Sequence, residues 1–231
     1  MSELLSYEGV TSVFLESTLR QPSLRGGDIS DEAQWLTRAA RGEYTDRGFG
    51  FWDFLLSSAV DASAPTRIAL WKRAIKHEDQ TDDLEEVDTV GFIRQLSNAA
   101  FYDLDSRRIV SLTSQVRVDG KDTELHLPML DFALAASSHN DAVAVEMLDE
   151  LGLSGNLYRS GRSYHYFGAT PVPTTVMTST LARAQLLGPL VDHRWISHQL
   201  INNRCALRIS TDTTRHTQAH VLVATTLDAV N

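Results

Sequence analysis

The chain has 231 residues, of which 42% are hydrophobic and 22% charged, a composition typical of a globular protein with a substantial core. It contains no apolar run of about 18 residues, which excludes a membrane span. The acidic start, Met1 to Glu8, lacks the basic and apolar segments of a signal peptide, so we expect a cytoplasmic protein. Cys205 is the only cysteine, which excludes an intramolecular disulfide and a cysteine-based zinc site.

Charge is distributed unevenly along the chain. The formal net charge is −9, but residues 157–231 carry +4, with seven arginines and no lysine, and residues 1–156 carry −13. Arginine suits planar, bidentate contacts to phosphate or carboxylate groups. The C-terminal part is therefore the expected place for an anion site. The alternative is that these arginines pair internally with the acidic half.

Residues 1–105 are predicted to form a mainly helical accessory region. Apolar residues recur at helical spacing over residues 8–20, 30–41, 49–60, 66–76 and 90–100. The acidic run at residues 78–88 lacks the spacing and central glycine of an EF-hand, so we expect a solvated loop or a helix start there. The acidic N-terminal region would serve either template contact or the docking of a protein partner.

From residue 106 onward the apolar pattern changes to that of an α+β domain. Asp119-Gly120 lies between two β-rich runs, Arg108–Val118 and Thr123–Leu134, which predicts a hairpin. A helix is expected from Asp141 to Leu151, with Ser138 or Asn140 as its cap. Later elements are helices over Thr174–Leu187 and Pro189–Asn202 and strands over Cys205–Ser210 and Ala219–Leu227.

A second hairpin is predicted around Ser160-Gly161-Arg162. Two aromatic-rich runs flank this turn, and Ser163 and His165 lie on one face of the second strand. A hydroxyl, an imidazole and a nearby arginine would form an anchor for phosphate. The alternative is a half-buried hairpin whose histidine is only hydrogen-bonded.

Counted from residue 125, the order is strand, helix, strand, strand, helix, strand. This split βαβ pattern predicts a ferredoxin-like or RRM-like palm with an antiparallel sheet over residues 106–231. The first and third strands of such a sheet are neighbours. Asp131 should therefore lie beside Ser163 and His165.

These motifs resemble the archaeo-eukaryotic primase, or primase–polymerase, superfamily. Its first palm strand carries an hhhDhD/E motif, which Leu127–Phe132 matches in its first part. Its sxH motif corresponds to Ser163-Tyr164-His165. The segments Leu190–His198 and Ala206–Ser210 are similar to those that follow in small bacterial and phage-associated members.

The resemblance implies a nucleotide site with a divalent metal. Asp131 and His165 would be catalytic, and Asp131 would hold Mg²⁺ or Mn²⁺. The implied phosphate-binding residues are Ser160, Arg162, Ser163, His165 and Arg208. The implied partners are a nucleoside triphosphate and single-stranded nucleic acid or a primer–template, with no membrane.

The chain also departs from the family pattern. Ala133 stands where the second acid of the first motif is expected, and Arg208 stands near the third acid. Asp192 and Asp212 are weak metal-ligand candidates, and an N-cap explains Asp192 equally well. His216 and His220 have i,i+4 spacing, but their threonine-rich, β-like context argues against a zinc pair.

Three functions remain open from sequence. The first is a primase-type nucleotidyltransferase acting in DNA replication or repair. The second is a catalytically inactive nucleotide- or nucleic-acid-binding module of the same fold, and the third is a plain α+β interaction domain. The missing acid favours the second over the first, because two-metal phosphoryl transfer needs several carboxylates. The weak overall basicity argues against an autonomous polymerase.

Overall fold

The chain divides into two compact units. The computed structural model describes residues 9–19, 32–37, 50–77, 84–97, 108–211 and 219–226. Residues 1–20 together with 80–231 form the larger unit, and residues 21–79 form the smaller. The predicted boundary after residue 105 differs from this division, because strands at residues 10–19 and 84–88 pair within the larger unit. In the described ranges no helix is long and apolar enough to cross a membrane.

The smaller unit is helical where it is described. It contains α1 (residues 32–37), α2 (Phe51–Ser58), a short 3₁₀ turn (Ala59–Asp61) and α3 (Ala64–Ala74). The Glu32 carboxylate accepts hydrogen bonds from the hydroxyls of Ser63, at 2.6 Å, and Thr66, which joins α1 to the start of α3. The buried core residues are Ala33, Phe54, Leu55, Ala59 and Leu70. The helices predicted at residues 49–60 and 66–76 are confirmed.

The larger unit is of the predicted α+β class, with two antiparallel sheets. Its helices are α4 (Thr89–Ser97), α5 (Ser138–Leu151), α6 (Thr174–Gln185) and α7 (His193–Asn202). Its strands are β1 (Val10–Leu19), β2 (Leu84–Asp88), β3 (Arg108–Val118), β4 (Leu125–His126), β5 (Met129–Asp131), β6 (Gly155–Arg159), β7 (Tyr164–Gly168), β8 (Val172–Pro173), β9 (Ala206–Arg208) and β10 (Val221–Thr226).

The first sheet has the order β2-β1-β3-β4-β8, and β9 also pairs with β3. The predicted Asp119-Gly120 hairpin joins β3 to β4. Gly120 has φ +67°, which glycine adopts without steric cost, and the Lys121 amide donates to the Val118 carbonyl at 3.1 Å.

The helix predicted over residues 8–20 is wrong, because this segment is strand β1. Val13 and Leu15 are buried on alternate positions, as in a strand with one covered face. The pairing of β1 with β3 shifts register between Val10 and Ser12 and again between Val13 and Leu15. Such bulges break strict alternation, and the resulting apolar spacing imitates a helix.

Part of the acidic run predicted as a loop or helix start is also a strand. Residues 84–88 form the edge strand β2, whose Glu85, Glu86 and Asp88 are exposed. Exposed carboxylates suit an edge strand because they discourage pairing with another chain. Residues 78–83 lie outside the described residues.

The single strand predicted over Thr123–Leu134 is split between the two sheets. Strand β4 pairs with β3 in the first sheet, and β5 pairs with β7 in the second. The chain changes sheet at Leu127-Pro128, where the Leu127 amide donates to Ser114 and the Pro128 carbonyl accepts from Gly168, both at 2.7 Å. Proline has no N–H to leave unpaired at such a transition.

The second sheet has the order β10-β6-β7-β5. The predicted adjacency of the first and third palm strands is confirmed, since β5 pairs with β7. The predicted fourth strand, Cys205–Ser210, is placed differently, because its β9 pairs with β3 in the first sheet. The edge beyond β6 is occupied by β10. Sequence order alone does not decide which of two sheets a short late strand joins.

Helix α5 begins three residues earlier than predicted, at Ser138 rather than at Asp141. Ser137 is its N-cap and accepts a hydrogen bond from the Asn140 amide at 3.1 Å, whereas Ser138 and Asn140 were the predicted caps. Gly152 ends the helix in the left-handed region, at φ +68°, as expected for a C-terminal glycine.

Candidate active site

The β6–β7 hairpin has the predicted turn. Strands β6 and β7 pair from Gly155–Gly168 to Arg159–Tyr164, and the Ser160 amide donates to the Ser163 carbonyl at 2.9 Å. Gly161 lies in the turn at φ +115°, a conformation that side chains with a Cβ rarely adopt. The turn therefore fixes the direction in which β7 presents its side chains.

Asp131 and His165 are direct neighbours across β5 and β7. The distance between Asp131 Oδ1 and His165 Nε2 is 3.7 Å. The side chain of His165 is 8% exposed and that of Asp131 is 23% exposed. An acid and an imidazole thus meet in a mostly buried position that solvent still reaches at the carboxyl group.

Backbone pairing just after β5 places Asp192 next to Asp131. Phe132 forms an isolated bridge with Val191, and the Asp192 amide donates to the Asp131 carbonyl at 2.9 Å. The Asp192 carboxylate also caps α7, because its Oδ1 accepts from the Trp195 amide at 2.8 Å. The cap interpretation is confirmed, and the same residue lies beside Asp131.

The environment of Asp131 favours its neutral form. Burial and the nearby carboxylate of Asp192 raise the pKa of Asp131 to about 8, although Arg208 opposes the shift. The acid is therefore mostly protonated at neutral pH when no cation is bound. A bound cation would supply the opposite charge that two close carboxylates lack.

Arg208 connects β9 to the hairpin turn. Its guanidinium donates to the Ser160 carbonyl at 2.8 Å and to the Ser210 carbonyl. These bonds hold its positive charge close enough to Asp131 to act on the pKa of that carboxyl. Arg208 is thus fixed between the turn and the acid, where it can also attract an anion.

His220 is a site residue that the sequence did not reveal. Its Nε2 lies 2.9 Å from Nδ1 of His165, and the two ring centroids are 4.9 Å apart. The Tyr158 ring contacts His220 edge-on at 6.4 Å between centroids. Residues 219–227 were predicted as a strand, but nothing in the sequence indicates that this strand pairs with β6 and so brings His220 to His165.

A family model described as archaeo-eukaryotic primase 1D-like matches residues 90–221, more than half of the chain. The chain belongs to the archaeo-eukaryotic primase family. Comparisons with curated proteins and with solved structures gave no match. The matched residues include both motifs of the primase resemblance and all of the site residues described above, from Asp131 to His220.

The remaining predicted residues of this primase domain differ in placement. Ser160 is buried and Ser163 half-buried, with 3.4 Å between their hydroxyl oxygens. Arg162 is exposed on the turn, and its carbonyl accepts from the Ala136 amide at 2.8 Å. Asp212 and His216 lie outside the described residues.

The two carboxyl groups of the candidate site have the donor chemistry that a hard divalent cation prefers. Asp131 and Asp192 offer carboxylate oxygens, which Mg²⁺ and Mn²⁺ prefer, and Mg²⁺ usually keeps several waters. Among the residues that the structure describes, no group of three or more histidine, cysteine or acidic side chains is arranged to hold a metal. Within those residues the ligands for a two-metal centre are not assembled.

Proposed function

We propose that this primase domain binds a nucleoside triphosphate beside the β6–β7 turn and transfers nucleotides with one divalent cation. The observation that carries the proposal is the pairing of Asp131 with His165, because it joins an acid and a hydrogen-bond donor in one mostly buried site. Family membership supports the same reaction class.

The phosphate-binding groups of the proposal surround the turn. His165 offers a donor from β7 and Ser163 offers one from the turn just before it, and Arg208 adds a fixed positive charge. Ser160 contributes through its carbonyl, which holds Arg208 in place. Arg162 is exposed at the tip of the turn, where it suits the solvent-facing end of a triphosphate.

Asp131 and Asp192 would hold the Mg²⁺ or Mn²⁺. When bound, such an ion neutralises phosphate charge and orients the triphosphate. The chain's own contribution is to keep two carboxylates close together through the Asp192 amide bond to Asp131.

Binding without metal is the second candidate function. Arg208 favours it, because a guanidinium beside Asp131 supplies positive charge without a cation. The two candidates predict different effects of Asp131→Asn. Metal-dependent binding should be lost in this variant, whereas metal-free binding should persist.

Single-stranded nucleic acid is the proposed second substrate, and helix α3 offers a surface for it. Residues 64–77 contain four basic residues and no acidic one, in a chain of net charge −9. Trp71 is 49% exposed, and the Arg67 guanidinium lies 5.6 Å from its ring centroid. Bases stack on exposed aromatic rings while basic side chains contact phosphates.

This nucleic-acid surface can be tested by fluorescence anisotropy with a single-stranded oligonucleotide. Replacing Lys72 and Arg73 together by alanine should weaken binding and reduce its salt dependence. Lys121→Ala, on the β3–β4 turn, is the control. Equal affinity of all three proteins would contradict the assignment of α3.

The nucleotide proposal can be tested by titrating fluorescent dNTP and NTP with and without Mn²⁺. We expect wild-type binding that depends on Mn²⁺ and is weakened about tenfold or more in His165→Ala, which removes a hydrogen bond to a charged group. His139→Ala, at an exposed histidine of α5, is the matched control and should bind normally. Failure of the wild-type protein to bind under either condition would contradict the proposal.

A further inference from the structure

The contact between His165 and His220 restricts where the protons of both rings reside. Nδ1 of His165 and Nε2 of His220 are 2.9 Å apart, which is a hydrogen-bond distance. One of these nitrogens must carry a hydrogen and the other must not. The two rings therefore cannot both be imidazolium ions while the bond exists.

The contact at Nε2, the other ring nitrogen of His165, distinguishes a hydrogen on Nδ1 from a hydrogen on Nε2. The His165 Nε2 faces Asp131 Oδ1 at 3.7 Å, so a hydrogen on Nε2 points toward a negatively charged oxygen when the Asp131 carboxyl is ionised. With the hydrogen on Nδ1 instead, the Nε2 lone pair would face that carboxylate and would repel an incoming phosphate. The favourable arrangement has Nε2–H on His165, and Nδ1 then accepts from Nε2–H of His220.

Two aromatic rings and one strand pairing keep the His165 and His220 imidazoles in contact. The Phe167 ring contacts His165 edge-on at 6.4 Å between centroids, and the Tyr158 ring contacts His220 at the same distance. Pairing of β10 with β6, which starts at Val221 opposite Arg159, fixes the backbone next to His220. His220 thus lies immediately before β10, and none of the proposed phosphate-binding groups lies on that strand.

We propose that His220 is a positioning residue that holds His165 as its Nε2–H tautomer, and so as a hydrogen-bond donor toward triphosphate. The proposal deepens the proposed function and rests on it for the identity of the ligand. The tautomer itself can be measured without any nucleotide, in protein whose Asp131 carboxyl is ionised.

Long-range ¹H–¹⁵N spectra of histidine-labelled protein at pH 9, where the Asp131 carboxyl is ionised, test the tautomer directly. We expect wild-type His165 to show a protonated Nε2 and an unprotonated Nδ1. His220→Leu should convert His165 to a mixture of tautomers, and His220→Gln, whose amide keeps a donor, should restore the wild-type pattern. A protonated Nδ1 in the wild type, or an unchanged spectrum in His220→Leu, would overturn the proposal.

Nucleotide titration then tests the consequence for binding. His220→Leu should weaken triphosphate affinity about tenfold, the size expected for a misdirected hydrogen bond to a charged group, and His220→Gln should recover most of it. His139→Leu, at the exposed histidine of α5, controls for the loss of a histidine. Equal affinity of His220→Leu and wild type would overturn the positioning role. If the wild-type protein binds no nucleotide but His220→Leu changes the His165 signals as expected, the proposed function is wrong. The role of His220 in holding the His165 tautomer is then still supported.

Discussion

The raised pKa of Asp131 predicts that the metal-free protein loses stability as pH rises. The pKa of this acid is about 8 in the folded protein, against an ordinary value of 3.8. Between these two values the folded state binds a proton that the unfolded state has released. The free energy of unfolding therefore falls with increasing pH in this window and levels off above the folded-state pKa.

The size of the effect follows from the single proton involved. One proton of difference changes the free energy of unfolding by about 1.4 kcal/mol per pH unit. For a chain of this size, that corresponds to roughly 3–5 °C in melting temperature per pH unit. Asp131→Asn keeps the shape of the side chain but cannot titrate, so this contribution disappears.

Thermal unfolding in EDTA at pH 6 and pH 7 measures this difference. The melting temperature of the wild type should fall relative to that of Asp131→Asn over this interval, and other titrating groups cancel in the comparison. Asp149→Asn, at an exposed acid of α5, should instead follow the wild type. An equal change in melting temperature for wild type and Asp131→Asn between pH 6 and pH 7 would contradict a raised pKa for Asp131.

Substitutions at three further positions test separate parts of the site and of the sheet that carries it. Asp192→Asn keeps an N-cap acceptor, so it should lower Mn²⁺ affinity with little change in melting temperature. Asp192→Ala should lower Mn²⁺ affinity and also reduce the free energy of unfolding by about 1 kcal/mol. Equal stability of the two variants would contradict the capping role of Asp192. Gly155→Ala should disrupt the pairing of β6 with β7, because a Cβ there would lie 2.3 Å from the Phe167 carbonyl oxygen, and a normal melting temperature would contradict that packing. Arg208→Met should weaken nucleotide binding in the presence of Mn²⁺ about tenfold or more, as measured by titration, and unchanged affinity would exclude a phosphate role.

The parts of the site that lie within one local pattern were predictable from sequence. The turn at Ser160–Ser163 is signalled by glycine between aromatic-rich runs, and the split βαβ order predicts that Asp131 and His165 are neighbours. Both predictions are confirmed by the strand pairing. Local propensity and a known topology were enough in these cases.

The parts that depend on long-range pairing were not predictable in this way. His220 reaches His165 only because β10 pairs with β6, a contact across 55 residues. Strand β1 was mistaken for a helix because two bulges disturb its alternation. Asp192 was correctly interpreted as a cap, but its place beside Asp131 follows from the Phe132–Val191 bridge, for which the sequence has no local signal.

Paramagnetic broadening by Mn²⁺ in the presence of a nucleoside triphosphate shows directly where the metal and the nucleotide bind. The amide signals of Asp131, Phe132, Asp192 and His165 should broaden first in ¹⁵N-labelled protein. Asp131→Asn should abolish this selective effect, and Asp149→Asn should preserve it. Selective broadening at another group of residues, or none at all, would contradict the assignment of the site.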